Sequence, residues 1–306
     1  MEYIVRTHDL GKKFDDINVI SDVNMSIKKG EIYGLLGPNG AGKTTVMKMM
    51  LNLLQPSQGA IELFNSTLTN NSYELFKRMS AIIEYPIFYD KLTAKENLDL
   101  HCEYMGYHNK NEIDEALQLV NLKNVDTKSV SFFSLGMKQR LAIARAIITK
   151  PELLILDEPI NGLDPVGIIE IRDLLEMLNH DYGITILISS HILSEIEQIA
   201  DTIGVMNNGR LIEEVSMTSI RDSSVEYIEI ETRQITQAAH IMDAQLSIKN
   251  FKVMDGKKIR IYETEISQHE LYKTLVSNDI AVDSINTKTG SLEDYFLSLV
   301  GGKEVV

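Results

Sequence analysis

Apolar positions follow two rhythms along this chain. Over the first 35 residues they come in short runs broken by polar ones, Tyr3-Ile4-Val5, Val19-Ile20 and Val23-Asn24-Met25-Ser26-Ile27, which predict strands. Ile32-Tyr33-Gly34-Leu35-Leu36 then reads as a buried strand, and Met47, Met50, Leu51 and Leu54 recur at helical spacing over Thr45 to Leu54. From about residue 72 to 150 the texture is helical. Thr93-Ala94-Lys95-Glu96 forms a capping box for a helix running toward Met105. Ile113, Ala116, Leu117 and Val120 mark a second helix over Asn111 to Val120, and a third is predicted from near Gly136 to about Thr149.

Strand and helix then alternate. Leu153 to Leu156 is a four-residue apolar strand, and Asp164-Pro165 supplies an N-cap with proline at the first helical position of a helix reaching about His180. Ile184 to Ile188 predicts another buried strand and Ile192 to Ala200 another helix. Asn208-Gly209 is a hairpin turn between Ile203–Met206 and Leu211–Val215. Residues 1–215 therefore read as one parallel-rich α/β domain with a helical subdomain over about 72–150. A serine- and threonine-rich break follows at Ser216 to Ser224. Beyond it, strands at Val225–Glu231 and Lys258–Tyr262, helices at Gln234–Met242 and His269–Val276, and a closing helix at Leu292–Val300 predict a small α+β accessory domain over 216–306. That appendage holds no motif of catalytic type.

Composition narrows the setting. Of 306 residues 44% are hydrophobic, ample for a core, yet no apolar run approaches the roughly 18 residues of a membrane span. Met1 to Leu10 lacks the apolar core of a signal peptide. Cys102 is the one cysteine, so no internal disulfide forms, and no Cys/His cluster has zinc spacing. A reduced, cytoplasmic setting is expected. The net charge of −14, with acidic excess on both sides of residue 213 and no basic tract, argues against double-stranded nucleic acid as the main partner.

The chemistry begins at Gly37-Pro38-Asn39-Gly40-Ala41-Gly42-Lys43-Thr44, which fits G-x-x-x-x-G-K-[ST] between a predicted strand and a predicted helix. A random chain of this length shows the pattern about once in a hundred times. A tight turn without a ligand is the weaker interpretation. Glycines let backbone N–H groups turn inward around phosphate oxygens, and the helix N-terminus adds its positive dipole end. Lys43 would neutralise the β- and γ-phosphates and the Thr44 hydroxyl would ligate Mg²⁺. The strand Leu153–Leu156 delivers Asp157 and Glu158 to a sheet edge. There Asp157 can hold Mg²⁺ through water and Glu158 can polarise the attacking water as general base. Adjacent acids at a strand end also commonly cap the next helix, and their functional weight comes from the glycine loop. The chain is read as binding a nucleoside triphosphate.

Phe133-Ser134-Leu135-Gly136-Met137-Lys138-Gln139-Arg140, just ahead of that strand, resembles the signature of ABC-type ATPases, with Ser134 and Gly136 matching its serine and second glycine while Leu135 and Met137 depart from it. Ser134 suits a helix N-cap equally, and both roles are compatible. The resemblance covers roughly residues 1–215. It implies a P-loop NTPase fold of ABC type, ATP and Mg²⁺ as ligands, nucleotide contacts from Gly37 to Lys43 and from Thr44, Thr45, Ser134 and Gly136, and a second cassette docked head to tail. Asn161-Gly162-Leu163-Asp164 resembles the D-loop, which adds Asp164. His191 resembles the switch histidine that touches the γ-phosphate. Phe14, 23 residues before Gly37, resembles the aromatic that stacks on adenine, although a lone aromatic also suits a core. In Ile82-Ile83-Glu84-Tyr85-Pro86, Glu84 stands where most ABC ATPases carry the Q-loop glutamine and retains an oxygen for Mg²⁺.

That E-loop resembles lantibiotic-immunity exporters, and Ser-Leu-Gly-Met-Lys-Gln-Arg resembles bacitracin-resistance ATPases. The resemblance thus implies the ATPase subunit of a peptide-antibiotic exporter, peripheral on the inner face of the cell membrane and served by a separate membrane permease. An importer, a soluble ABC ATPase acting in translation or repair, and a module regulated through 216–306 are the alternatives.

Overall fold

The computed structural model describes residues 2–107, 110–122, 127–222, 226–254, 257–263 and 266–289. The chain divides into two compact units, Met1–Ser216 and a second beginning at Met217. In chain order the first holds β1 (Tyr3–Phe14), β2 (Ile17–Val23), β3 (Ser26–Lys28), β4 (Ile32–Leu36), α1 (Lys43–Met50), β5 (Gln58–Leu63), β6 (Ser66–Thr67), α2 (Tyr73–Phe76) and β7 (Met79–Ile82). It continues with α3 (Ala94–Met105), α4 (Lys110–Leu119), α5 (Leu135–Ile147), β8 (Leu153–Leu156), α6 (Pro165–His180), β9 (Thr185–Ser190), α7 (Leu193–Ile196), β10 (Thr202–Asn207) and β11 (Arg210–Ser216).

Two sheets organise this unit. β1 pairs antiparallel with β2, β3 and β5, and β6 adds to β5. The second sheet runs β11-β10-β4-β9-β8-β7, parallel except for β11. Its central strands are apolar on both faces: every residue of β4, β8 and β9 is buried. That is what a parallel strand covered on both sides requires. Between the sheets lies α1, whose Val46, Met47, Met49 and Met50 are fully buried with Leu10, Ile20, Leu35, Ile155 and Leu187. In register, Leu35 faces Ser189 and Ile188 faces Leu156. The chain therefore leaves β4, β8 and β9 along one sheet edge, where open α/β sheets bind ligands.

Several boundaries differ from those the pattern predicts. The glycine-loop helix starts at Lys43 and stops at Met50, because Leu51 begins a turn whose N–H still bonds Met47. The region from 72 to 150 is not helical throughout: Met79–Ile82 is a strand at the edge of the parallel sheet, paired with β8. The helix predicted over Ile192–Ala200 is one turn. The N–H groups of Ile199 and Ala200 both close on the Ile196 carbonyl, and Asp201 then exchanges bonds with the Ile32 backbone to start β10. The break at Ser216–Ser224 carries a helix, α8 (Met217–Asp222), anchored by buried Met217 and Ile220. The capping box at Thr93, the Asp164 N-cap and the Asn208-Gly209 turn (both φ positive) stand as predicted.

The second unit continues from α8 with β12 (Glu226–Thr232), α9 (Ile235–Leu246), β13 (Phe251–Met254), β14 (Lys258–Ile261), α10 (Gln268–Ser277) and β15 (Val282–Thr289). The strand order β13-β14-β12-β15 with helices after β12 and β14 is a split βαβ arrangement. Ile228, Ile230, Ile259 and Ile261 pack with Met242 of α9 and Leu271 and Leu275 of α10. On the opposite strand face, buried Glu229 meets Lys258, Arg260 and Lys288. β13 and β15 are not foreshadowed by the pattern, and Leu292–Val300 lies outside the described residues.

Candidate functional site

The loop Gly37–Gly42 leaves β4 against β10 and the hairpin turn. A side chain at Gly37 would meet the Met206 carbonyl at 2.3 Å, and the Gly209 N–H bonds the Ala41 carbonyl. Gly42 takes φ 103 as N-cap of α1 and offers no side-chain cap. The first-turn N–H groups therefore point from the helix start with no capping side chain, at its positive dipole end. Pro38, Asn39 and Gly40 are exposed at the mouth, Ala41 is buried, and Thr45 is half-buried. Lys43 is 5% exposed and folds back across the loop, donating to the Gly37 carbonyl at 2.7 Å and reaching the Glu158 carboxylate at 3.2 Å.

Asp157 and Glu158 arrive from β8. The Thr44 hydroxyl donates to Asp157 Oδ2 at 2.7 Å, and the Ser189 hydroxyl donates to Asp157 Oδ1 at 2.6 Å. Ser189 Oγ in turn accepts the Glu158 N–H at 2.8 Å. Glu158 sits at φ 49, a left-handed backbone that a non-glycine residue adopts at a cost of about 1–3 kcal/mol. The turn aims its carboxylate between two cationic or donor groups: Lys43 on Oε1 and His191 Nδ1 on Oε2, the latter at 2.7 Å. Lys43, Thr44, Asp157, Glu158 and His191 thus form one network. Ser189 ties it together and was not singled out from sequence, although a serine ending an otherwise apolar strand needs a buried partner.

Glu195, on α7 beyond His191, borders the same network. One of its oxygens is buried with no hydrogen-bond partner among the described residues. Burial pushes its carboxyl above the usual range; His191 opposes the shift and Glu158 adds to it.

Ser134, Gly136, Asp164, Phe14 and Glu84 stand outside this network, each with other neighbours. Ser134 caps α5 by accepting the Met137 N–H at 3.2 Å. Gly136 lies in the first turn of α5, and Leu163 of the D-loop segment is the nearest group to a Cβ built there, at 3.8 Å. Asp164 caps α6 through the Gly167 N–H. Phe14 is 44% exposed at the end of β1 with the Lys12 ammonium 5.1 Å from its ring, so it is not a core residue. Glu84 takes a left-handed backbone, φ 61, and its carboxylate accepts from the Lys48 ammonium at 2.6 Å.

The donor chemistry fits Mg²⁺. A threonine hydroxyl and a carboxylate oxygen 2.7 Å apart, beside a phosphate-binding loop, are the few protein oxygens this ion takes when phosphates complete its shell. Among the described residues no three His, Cys, Asp or Glu side chains form an all-protein metal cage. A cavity of about 410 Å³ lined by Ala116, Ile147, Leu178 and Tyr182 shares no residue with the network.

A family model described as ABC transporter matches residues 20–161. Over 305 residues the chain is 57% identical to the uncharacterized ABC transporter ATP-binding protein YcbN of Bacillus subtilis (strain 168), spanning 100% of this chain and 99% of that protein. The chain belongs to the ABC transporter ATP-binding family. It is also 46% identical over 302 residues to the bacitracin transport ATP-binding protein BcrA of Enterococcus faecalis, spanning 99% and 98% of the two chains. A solved ATP-binding subunit of an ABC transporter superposes with a TM-score of 0.63 at 31% identity, covering 72% of this chain and 92% of that one. As a family member the chain is an ATPase with the P-loop NTPase fold of ABC type. Cassettes of the family bind ATP and work as dimers with transmembrane partners.

Proposed function

We propose that this chain is the nucleotide-binding subunit of an exporter that removes peptide antibiotics of bacitracin or lantibiotic type. The observation that carries the catalytic part is Glu158, held between Lys43 and His191 beside the Thr44–Asp157 pair. The loop N–H groups from Asn39 to Gly42 and the α1 start receive the triphosphate, while Phe14 offers an exposed face to adenine. The triphosphate competes for the Lys43 ammonium and so frees Glu158. Glu158 then accepts a proton from water as the water oxygen bonds the γ-phosphorus and the bond to the β-phosphate oxygen breaks, leaving ADP. His191, bonded to Glu158 through Nδ1, keeps Nε2 for the γ-phosphate. Thr44, Asp157 and Glu84 would hold Mg²⁺, which would supply positive charge against the phosphate oxygens.

Ser134, Gly136 and Asp164 belong to the face that meets a second cassette, identical or closely homologous, and complete its nucleotide site. The loop after Glu84 suits a permease: Tyr85, Ile87 and Tyr89 are 73%, 83% and 55% exposed. Among the described residues no helix is long and apolar enough to cross a membrane, which supports a separate membrane subunit and a peripheral cytoplasmic place. The full-length likeness to the bacitracin transport subunit supports the cargo class. Glu158→Gln is expected to lower steady-state ATP turnover by about 10²–10⁴ while ATP affinity is kept. Unchanged turnover in that variant would remove Glu158 from its role.

A further inference from the structure

Lys48, on α1 beyond Thr44, carries a charge that the nucleotide reading leaves unused. On α1 it follows Thr44 by four residues, so the two side chains share one helix face about 5–6 Å apart at Cβ. Thr44 points its hydroxyl to Asp157, and Lys48 takes the Glu84 carboxylate at 2.6 Å. Glu84 therefore reaches the correct face of α1 but one turn beyond the position where Thr44 and Asp157 converge. A neutral glutamine here would hold a lysine less firmly, since an ion pair strengthens the hydrogen bond. Both partners stay partly in water, with Lys48 36% and Glu84 64% exposed, so the pair is weak enough to exchange.

We propose that Lys48 is a positioning residue that parks the Glu84 carboxylate one helical turn from the metal station, so that Lys48 and the divalent cation compete for it. The inference rests on Glu84 being a metal ligand in the loaded state. Its consequence is that the acid at this position does not simply strengthen metal binding: part of its gain is offset by the lysine.

The test is a double-mutant cycle on the full chain saturated with ADP, with Mn²⁺ binding read from the spin-resonance signal of the free ion. ADP affinity without metal serves as the folding control. Lys48→Met is expected to tighten Mn²⁺ about two- to fivefold, the range of an exposed ion pair. Lys48→Arg should stay near the parent, Glu84→Ala should weaken binding, and Lys48→Met in the Glu84→Ala background should change nothing further. Equal tightening in both backgrounds, or none in either, would overturn the parking role while leaving Glu84 a ligand. Unaltered Mn²⁺ binding in Glu84→Ala alone, which removes both side-chain oxygens, would overturn the ligand assignment and the inference built on it.

Discussion

Ser189 shows how a single hydroxyl can hold a site together. It donates to Asp157 Oδ1 and accepts the Glu158 N–H, and is itself fully buried. Ser189→Ala leaves a buried N–H and a carboxylate oxygen each short of a partner. A loss of about 1–3 kcal/mol in stability is expected, together with slower turnover, because the Ser189 hydroxyl receives the Glu158 N–H at its left-handed backbone. Thermal unfolding and steady-state ATPase on the same preparation check this; an unmoved unfolding midpoint would contradict it. At this scale the spacing of Gly37 to Thr44, Asp157–Glu158 and His191 made most of the site legible, because each residue falls at a strand end in chain order. Ser189 and Lys48 were not legible. Their roles come from strand register and from a helical turn, which join positions far apart in sequence.

At the scale of elements, the fully buried strands were read with ease, since Leu153–Leu156 is an apolar run and Ile186–Ile188 forms the apolar centre of β9, as a covered parallel sheet accommodates. The polar ones were not. β15 has the sequence VDSINTKT and is held by pairing with β12 rather than by any apolar rhythm, and β13 is four residues long. β12 also carries the clearest electrostatic device outside the nucleotide site. Glu229 is held below its ordinary 4.5, first by the Lys288 hydrogen bond, against the cost of burial and with help from Lys258 and Arg260. A carboxyl whose folded pKa is depressed contributes stability above its unfolded value and loses it as pH falls through the folded one. Hydrogen exchange at the β12 and β14 amides of the full chain should therefore quicken as pH drops below about 4.5, after correction for intrinsic exchange. Glu229→Gln should exchange faster at neutral pH and converge with the parent in acid; a constant gap at all pH values would contradict this account.

At the scale of the molecule, an acidic chain concentrates its cationic phosphate-binding apparatus in one loop and one buried lysine. The two units carry different logic: residues up to Ser216 hold every candidate catalytic group, while the split βαβ unit holds an apolar core and the Glu229 ion cluster. The candidate nucleotide site draws on three short motifs that follow strands neighbouring one another in one sheet. Calorimetric titration of Mg-ATP into the intact protein and into Lys43→Ala tests the central claim most directly. The account predicts saturable binding in the parent and at least about tenfold weaker binding in Lys43→Ala, the loss of one charge-assisted contact of about 1.5–3 kcal/mol. No heat of binding in the folded parent, or equal affinity in the two proteins, would contradict it.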